Sequence, residues 1–280
     1  MARSVFYYHR SRLKNADKYE IEKKEIKEIF ESNLGRYGYR RITMELRNRG
    51  YCINHKTVQS LMKEMNIKCQ IRKVRYRSYK GDIGKTAPNI LNRDFSTTHP
   101  LEKLTTDITQ ISINDEKLFL SPILDMFNGG IISYSVSRSP NMKLISEMLS
   151  KAFMKIKNTQ GIIFHSDQEW HYQHHTYCSI LKQHGILQSM SRKGNCLDNA
   201  MAENFFGIMK SELLYPNKFK SGKQFIESLN EYIHYYNYKR IKLRLGGLSP
   251  VQFKEKYYIE HPNFIEDPAG STDGTVTLKI

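Results

Sequence analysis

The 280 residues are 39% hydrophobic and 11% aromatic, which allows one large domain or two ordinary ones and excludes a disordered chain. No apolar run reaches the roughly 18 residues of a membrane span, and the first ten residues lack the apolar segment of a signal peptide, so we expect a cytoplasmic protein. The net charge of +16 favours a polyanionic partner, nucleic acid ahead of ribosomal or membrane-surface association.

Positive charge is concentrated in the first third of the chain. Residues 1–98 hold 23 Lys and Arg against 10 Asp and Glu, whereas residues 99–280 hold 21 against 18. This asymmetry is expected of a polyanion-binding module joined to a domain with a different function. We therefore predict a basic helical region at residues 1–80, followed by a linker at 81–99, where Gly, Pro and Asn are scattered.

Three helical patterns lie within the basic region. Residues 18–32 form an amphipathic charged pattern, and RITMELRNRG predicts a short helix that ends before Gly50. Asn54 is placed to cap a second short helix that continues to about Met65. Two short helices joined by a tight turn predict a helix-turn-helix DNA reader, although a generic helical hairpin fits equally well. The side chains expected to contact DNA are His55, Lys56 and Gln59.

A basic stretch without acids follows, between Glu64 and Asp82. Its cations alternate with Tyr76 and Tyr79, which suits an arm that follows the DNA backbone, because neutralising phosphates supplies affinity. A solvated linker is the alternative. The candidate DNA-binding cations of this arm are Arg72, Lys73, Arg75 and Arg77.

The sequence changes character from Leu104 onwards. LTTDITQISI, KLFLSPILDMF and GIISYSVSRS predict three strands in hairpins, with FNGG as a turn. An amphipathic helix, NMKLISEMLSKAFMKIKN, and two short strands, GIIFHSD and GILQSMS, come next. This order predicts an α/β fold of RNase H-like type over residues 100–262, a mixed five-stranded sheet flanked by helices. Residues 263–280 are expected to be a disordered tail.

Acidic residues stand at informative positions in this domain. Asp107 lies in the first strand, and Asp167 directly follows the apolar run GIIF, where open α/β sheets place ligand crevices. Glu203 lies one turn into a strongly apolar helix, where a buried carboxylate is costly unless it is paired or binds a metal. A solvent-facing Glu203 is the plainer alternative. Asp125 also ends a strand, and we expect it to be exposed and outside the catalytic set.

The three acids, with 35 residues between the last two, resemble the DD(35)E signature of retroviral-type integrases and many bacterial transposases. TDITQI, HSDQ, SRKGNCLDNAMAENFFGIMKSE, YNYKRIKLRLGGLSP and GRYGYRRI resemble, more narrowly, the OrfB transposases of the bacterial insertion-sequence family numbered three. The resemblance extends from about residue 5 to about residue 255. It implies that Asp107, Asp167 and Glu203 are catalytic and hold two Mg²⁺ or Mn²⁺ ions per active site.

The same resemblance implies an enzyme, a DDE polynucleotidyl transferase that cuts and joins DNA strands to move an insertion sequence. Its partners would be duplex DNA of the element ends and target, further copies of itself in a synaptic complex, and an upstream helix-turn-helix OrfA protein, separate or fused. A DNA-binding accessory subunit or regulator with impaired catalysis is the alternative, and retention of all three acids favours the enzyme. A plain nuclease is disfavoured by the basic module and by the aromatic-basic stretch at 232–244.

Further DNA-binding candidates surround the third acid. Lys210 matches a basic residue that the family carries seven positions after its Glu, and it shares a helix face with Asn199 and Glu203. Asp198 would be the helix cap, and Asn199 would face DNA. The preceding loop adds Arg192 and Lys193.

One position departs from the family pattern. After HSDQ the family usually has Gly, and this chain has Glu169. Glu169 could strain the loop or add a negative charge beside the metals; alternatively, it points to solvent without effect. The nearby histidines of HSDQEWHYQHHTYC suggest zinc only weakly, since a second ligand pair is missing, and we expect them to shape the rim of the site.

Overall fold

The computed structural model describes residues 3, 17–69, 87–192, 199–262 and 264. These residues divide into two compact units, one holding the described residues up to 69 together with Lys242–Gly247, the other holding the rest. No helix in this described part is long and apolar enough to cross a membrane. Several predicted features lie outside the described residues, namely the cations Arg72, Lys73, Arg75, Arg77 and Lys193, the cap Asp198 and almost all of the tail.

Within residues 17–69, the described segment of the first unit, the helices are α1 (Glu20–Ser32), α2 (Tyr39–Asn48) and α3 (His55–Glu64). The side chain of Asn54 accepts a hydrogen bond from the Lys56 amide at 2.9 Å, which confirms the predicted start of α3. Gly50, at φ 89°, follows the end of α2, where a left-handed residue reverses the chain. The buried face of the three helices is apolar and includes Ile26, Ile29, Ile42, Leu46, Val58, Leu61 and Met62.

The second unit is built on a mixed sheet, as the sequence predicts. Its strands are β1 (Lys103–Thr106), β2 (Thr109–Ile113), β3 (Glu116–Asp125), β4 (Ile131–Ser137), β5 (Ile163–Ser166) and β6 (Leu187–Met190). Strand β3 pairs antiparallel with β4, and also with both β1 and β2. Strand β5 lies parallel between β1 and β6.

Strands β1 and β2 are one strand with a gap. Thr106 pairs with Ile123 and Thr109 pairs with Leu120, so the register along β3 is the same on both sides of the gap. Asp107 lies in the gap, where its carboxylate accepts the Ile108 amide at 2.8 Å. A side chain that captures a neighbouring amide competes with the ladder. This explains why six strand segments appear where five strands are predicted.

Helices cover both faces of the sheet. They are α4 (Met142–Phe153), α5 (Trp170–Gln173), α6 (His175–Gln183), α7 (Ala200–Met209), α8 (Gly222–Tyr238) and α9 (Pro250–Glu260). Residues of α4 and α6 bury one face with Leu104 and Phe164, while α7 and α8 bury the other with Ile111 and Leu120. This three-layer arrangement confirms the predicted mixed sheet flanked by helices.

Part of the predicted linker packs on the second unit. The Ile90 amide donates to the Ser189 hydroxyl at 3.0 Å, and the Met190 amide donates to the Pro88 carbonyl at 3.3 Å. Residues 88–90 of the predicted linker therefore lie beside strand β6. The other domain limits stay predictions.

Asp125 is buried, and the expectation of an exposed strand-end acid is wrong. Its side chain accepts the Leu101 amide at 3.1 Å and the Phe127 amide at 3.0 Å, and the residue is 2% exposed. Burial raises its pKa to about 6, against the opposing effect of these two hydrogen bonds. Asp125 therefore fixes the corner at the end of β3.

A buried ion pair joins the end of α7 to the end of α8. Helix α7 continues as a π-helical turn, Lys210–Leu214, and Glu212 in this turn is 3% exposed. Arg240 donates to both carboxylate oxygens of Glu212, at 2.8 and 2.7 Å, and the Tyr232 hydroxyl adds a third bond at 3.0 Å. Tyr232 and Arg240 belong to the aromatic-basic stretch at 232–244, and these two side chains of the stretch are part of the core.

We expect Arg240→Met to lower the free energy of unfolding by about 3–5 kcal/mol, because Glu212 is left buried without its cation. Urea denaturation at neutral pH measures the change. The double variant Arg240→Met/Glu212→Leu should recover part of the loss. As a control, Lys27→Met removes an exposed pair with Glu31, separated by 3.9 Å, and should have little effect. A loss for Arg240→Met no larger than that of the control would contradict the expectation.

Candidate active site

Parallel pairing of two strands brings the first two predicted catalytic acids together. Thr105 of β1 is paired with His165 of β5, and each strand then continues two residues to its aspartate. Asp107 and Asp167 therefore lie side by side, each directly after the carboxyl end of its strand. Oxygen atoms of Asp107, Asp167 and Glu169 all lie within 4.8 Å of one another.

Backbone amides hold both aspartates in place. Asp107 accepts the amide of Ile108 at 2.8 Å, and Asp167 accepts the amide of Glu169 at 2.9 Å. Each bond uses one carboxylate oxygen, Oδ1. The orientation of each side chain is thus set by the main chain immediately after its strand.

The carboxylates destabilise one another's charged forms. Burial raises the pKa of Asp107 well above its ordinary value, and the charges of Asp167 and Glu169 raise it further. Burial, followed by the charge of Glu169, raises the pKa of Asp167 to about 7. A cation between such groups would relieve this repulsion, and carboxylate oxygens are the ligands that Mg²⁺ and Mn²⁺ prefer. The acidic cluster therefore fits a hard divalent cation, and the described residues form no comparable group of histidines and cysteines.

Glu203 lies on the first turn of α7 and is partly buried. It is not among the three residues that lie within 4.8 Å of one another, yet its charge raises the pKa of both Asp107 and Asp167. The apolar neighbours of Glu203 on the helix face elsewhere: Phe205 and Met209 are buried in the core between α7, α8 and the sheet. The helix therefore presents Glu203 towards the aspartates and its apolar face towards the core.

Two hydrogen bonds tether α7 beside the gap that contains Asp107. The Thr105 hydroxyl donates to Asn199 Oδ1 at 2.9 Å, and Lys210 Nζ donates to the Thr109 hydroxyl at 2.8 Å. Thr105 precedes the gap and Thr109 follows it, so α7 is held at both ends along the interrupted strand. Burial lowers the pKa of Lys210 against the opposing charge of Asp107, which places its ammonium near the site.

The predicted DNA-binding residues fall into different environments. Asn199 is 5% exposed and bonded to β1, so the expectation that it faces DNA is wrong; it occupies the N-cap position of α7 and turns inward. Arg192 is exposed at the end of a described segment. His55, Lys56 and Gln59 are exposed on α3. Their roles, like that of the partly buried Lys210, stay predictions.

Glu169 belongs to the acidic cluster, so among the alternatives that the sequence leaves open the structure favours an added negative charge beside Asp107 and Asp167. Its φ of −62° and ψ of 148° are ordinary extended backbone, so the expected strain from replacing Gly is absent. Its Oε2 lies 3.4 Å from His171 Nδ1, so the side chain does not simply point to solvent. The only signal in the sequence was an acid two residues after Asp167.

Comparison with known proteins agrees with this arrangement. Residues 16–75 match an HTH-like domain, and residues 97–196 and 203–257 match integrase core domains. The chain is 50% identical to the transposase InsK of insertion sequence element IS150 from Escherichia coli K12, over 92% of this chain and 91% of that protein. It is 33% identical to transposase InsF of insertion sequence IS3A from the same strain, over 81% and 80%.

The chain belongs to the IS3 family of insertion-sequence transposases. The transposase of IS904 from Lactococcus lactis is also similar, at 35% identity over 89% of this chain and 99% of that protein. Among solved structures, the HTLV-2 integrase catalytic core domain is similar at a TM-score of 0.44 and 16% identity, over 56% of this chain and 97% of that chain. The matches to the three insertion-sequence transposases confirm the family resemblance inferred from the motifs.

We expect Asp167→Asn to stabilise the metal-free transposase at high pH. The folded pKa of about 7 exceeds the ordinary 3.8, so folding favours the protonated acid, and the wild type loses stability as pH rises from about 4 to 7. Asn keeps the oxygen that accepts the Glu169 amide but carries no charge. The variant should match wild type at pH 4 and exceed it at pH 8 by on the order of 2 kcal/mol.

Urea denaturation in EDTA at both pH values measures this difference. Asp115→Asn, an exposed acid on the turn between β2 and β3, serves as the control and should show no such pH dependence. A difference of the opposite sign at pH 8, or one that does not vary with pH, would exclude the repulsion inferred at this site.

Proposed function

We propose that this transposase cuts DNA strands at the ends of its insertion sequence and joins them to target DNA by metal-dependent transesterification. The observation that carries the proposal is that Asp107 and Asp167 directly follow two parallel, paired strands and that their carboxylate oxygens lie within 4.8 Å of each other. In this proposal Asp107, Asp167 and Glu203 are the catalytic residues. They would together hold two Mg²⁺ or Mn²⁺ ions.

Each residue has a distinct part in the proposed reaction. Two bound ions would supply activation of the attacking oxygen and stabilisation of the leaving oxygen. Asp107 and Asp167 define the site relative to the rigid sheet, and Glu203 approaches from α7. The ammonium of Lys210, close to Asp107, can contact a DNA phosphate beside the site.

The proposed chemistry proceeds without a covalent protein intermediate. Water attacks a phosphodiester at the element end, and the bond to the bridging 3′ oxygen breaks to leave a DNA 3′-hydroxyl. This hydroxyl then attacks a target phosphodiester, forming a new 3′–5′ linkage and releasing a target 3′-hydroxyl. The first step is a hydrolysis that leaves a 5′-phosphate on the flanking DNA, and the second exchanges one phosphodiester bond for another, so neither step requires an energy source.

DNA contacts in the proposal come from both units. Exposed His55, Lys56 and Gln59 on α3 would read the element ends, and Arg192 would contact the backbone near the active site. Outside the described residues, Lys193 and the cations of the basic arm would add phosphate contacts. We further infer that the synaptic complex contains more than one copy of the chain, together with an upstream helix-turn-helix OrfA protein, separate or fused.

We expect strand cleavage and joining to depend on Glu203. Glu203→Gln keeps the side-chain shape and removes the charged ligand. Substituting a residue that only hydrogen-bonds a metal ligand lowers activity by up to about 100-fold, so loss of a ligand itself should lower it by at least that factor. Labelled duplexes carrying the element's inverted repeats, incubated with Mg²⁺ or Mn²⁺, measure the products. The matched control Glu227→Gln changes an exposed glutamate on α8 and should behave as wild type.

The possible outcomes separate the two candidate functions. Products from wild type and none from Glu203→Gln support the strand transferase. Equal products from both would remove Glu203 from the mechanism. DNA binding without products from any variant, with the upstream partner supplied, would favour the accessory-subunit alternative.

We expect α3 to contribute to DNA affinity. Lys56→Ala should weaken binding of the inverted repeat and of unrelated duplexes alike, and should reduce the slope of log affinity against log salt by about 1. Gln59→Ala should instead reduce discrimination between the two duplexes, by about 1–3 kcal/mol if Gln59 contacts a base. Fluorescence anisotropy at several salt concentrations measures both effects. Lys27→Ala on α1 is the charge-matched control, and equal losses for Lys27→Ala and Lys56→Ala would argue against a specific role for α3.

A further inference from the structure

Glu169 is close enough to the two aspartates to bind the same metal ion. One of its carboxylate oxygens is within 4.8 Å of oxygens of both Asp107 and Asp167. Groups this close can bind one ion or share two neighbouring ions. The inference drawn from this position rests on the proposed function, since it concerns the same metal site.

The main chain fixes Glu169 relative to Asp167. The Glu169 amide donates to Asp167 Oδ1 at 2.9 Å, and Glu169 occupies the N-cap position of the short helix α5. Its extended backbone conformation is unstrained, so the structure bears no conformational cost for a side chain at this position. The two carboxylates are therefore presented together by one turn of chain.

A buried histidine, His171, lies next to Glu169. His171 is 3% exposed, and its Nε2 lies against the carbonyl oxygen of Pro140, which can only accept, so Nε2 carries the hydrogen. The ring is also stacked on Trp170, with centroids 3.9 Å apart. These contacts leave the ring little freedom to rotate.

The other ring nitrogen is directed at the acidic cluster. Nδ1 of His171 is buried and makes no hydrogen bond within the described residues; it faces Glu169 Oε2 at 3.4 Å. A buried polar atom without a partner is costly and rare. The fixed ring lies against Glu169 and limits the positions that its carboxylate can take beside the cluster, although the Glu169 side chain is 42% exposed.

We propose that Glu169 is a fourth carboxylate ligand of the divalent-cation site and that His171 is the positioning residue that holds it there. With two divalent ions, three carboxylates leave one net positive charge in the site, whereas four leave none. Because ligand charge count sets metal affinity, the fourth carboxylate tightens cation binding. The ligand class is a hard divalent cation such as Mn²⁺ or Mg²⁺.

Mn²⁺ binding to the full chain tests the proposal without DNA. The loss of the free Mn²⁺ signal in electron paramagnetic resonance reports binding directly. Glu169→Gln should weaken Mn²⁺ binding by at least about tenfold, while the exposed control Glu227→Gln should leave it unchanged. Asp107→Asn, which alters the centre of the site, should weaken binding at least as strongly.

A second variant of Glu169 tests whether its carboxylate coordinates the ion directly or only contributes negative charge nearby. Glu169→Asp keeps the charge but withdraws the carboxylate by one methylene. A coordinating Glu169 predicts that Glu169→Asp also binds Mn²⁺ several-fold more weakly, whereas a charge acting only at a distance predicts wild-type affinity. Wild-type affinity for Glu169→Asp would therefore overturn coordination.

The outcomes distinguish this inference from the proposed function. Wild-type affinity for Glu169→Gln together with weak binding by Asp107→Asn would overturn the role of Glu169 and leave the metal site intact. Wild-type affinity for Asp107→Asn would instead overturn the metal site on which the proposed function depends.

His171→Gln tests the positioning role, because the Gln amide can still donate to the Pro140 carbonyl but places no ring nitrogen against Glu169. It should weaken Mn²⁺ binding less than Glu169→Gln does, and should add nothing when the two changes are combined. Additive losses in the double variant would show that His171 does not act through Glu169.

Discussion

The parallel pairing of β1 with β5 is the constraint on which the active site depends. It brings Asp107 and Asp167, which lie two residues beyond the paired Thr105 and His165, side by side where β5 ends next to the gap between β1 and β2. Their burial and mutual repulsion raise both pKa values, so the folded chain carries an electrostatic cost at this point. The apolar layers on both faces of the sheet stabilise the fold and offset this electrostatic cost. A bound cation would turn the same repulsion into affinity.

Helix α7 joins the core to the site through its two faces. Its apolar face is buried against the sheet, and its polar face carries Asn199, Glu203 and Lys210 along the interrupted strand. Just beyond Lys210, the π-helical turn is anchored by the buried pair of Glu212 with Arg240. Buried ion pairs contribute little net stability, so this one is better understood as fixing the position of the helix end that carries Lys210.

Features set by local pattern could be predicted from the sequence, and those set by distant neighbours could not. The Asn54 cap and the order of strands and helices follow from periodicity and capping chemistry, as does the position of Asp167 at a strand end. Asp125 was misjudged because the Leu101 amide that binds it comes from a separate loop. Asn199 was misjudged because its partner, Thr105, is 94 residues away.

For Glu169 the sequence leaves three outcomes open, namely backbone strain, a negative charge beside the proposed metals and exposure to solvent, and the structure is needed to distinguish them. The family motif shows that Glu169 stands where Gly is usual, but it does not show which groups surround the Glu169 side chain. Those neighbours depend on the pairing of β1 with β5, which brings Asp107 close to Glu169. The backbone at this position has φ of −62°, so any residue can occupy it, and the cost of Glu is electrostatic alone. Cations offset an electrostatic cost in a way that they cannot offset backbone strain. With the proposed cations bound, an acid beside the two aspartates is therefore tolerable in this loop, where it changes the charge of the site without changing the backbone.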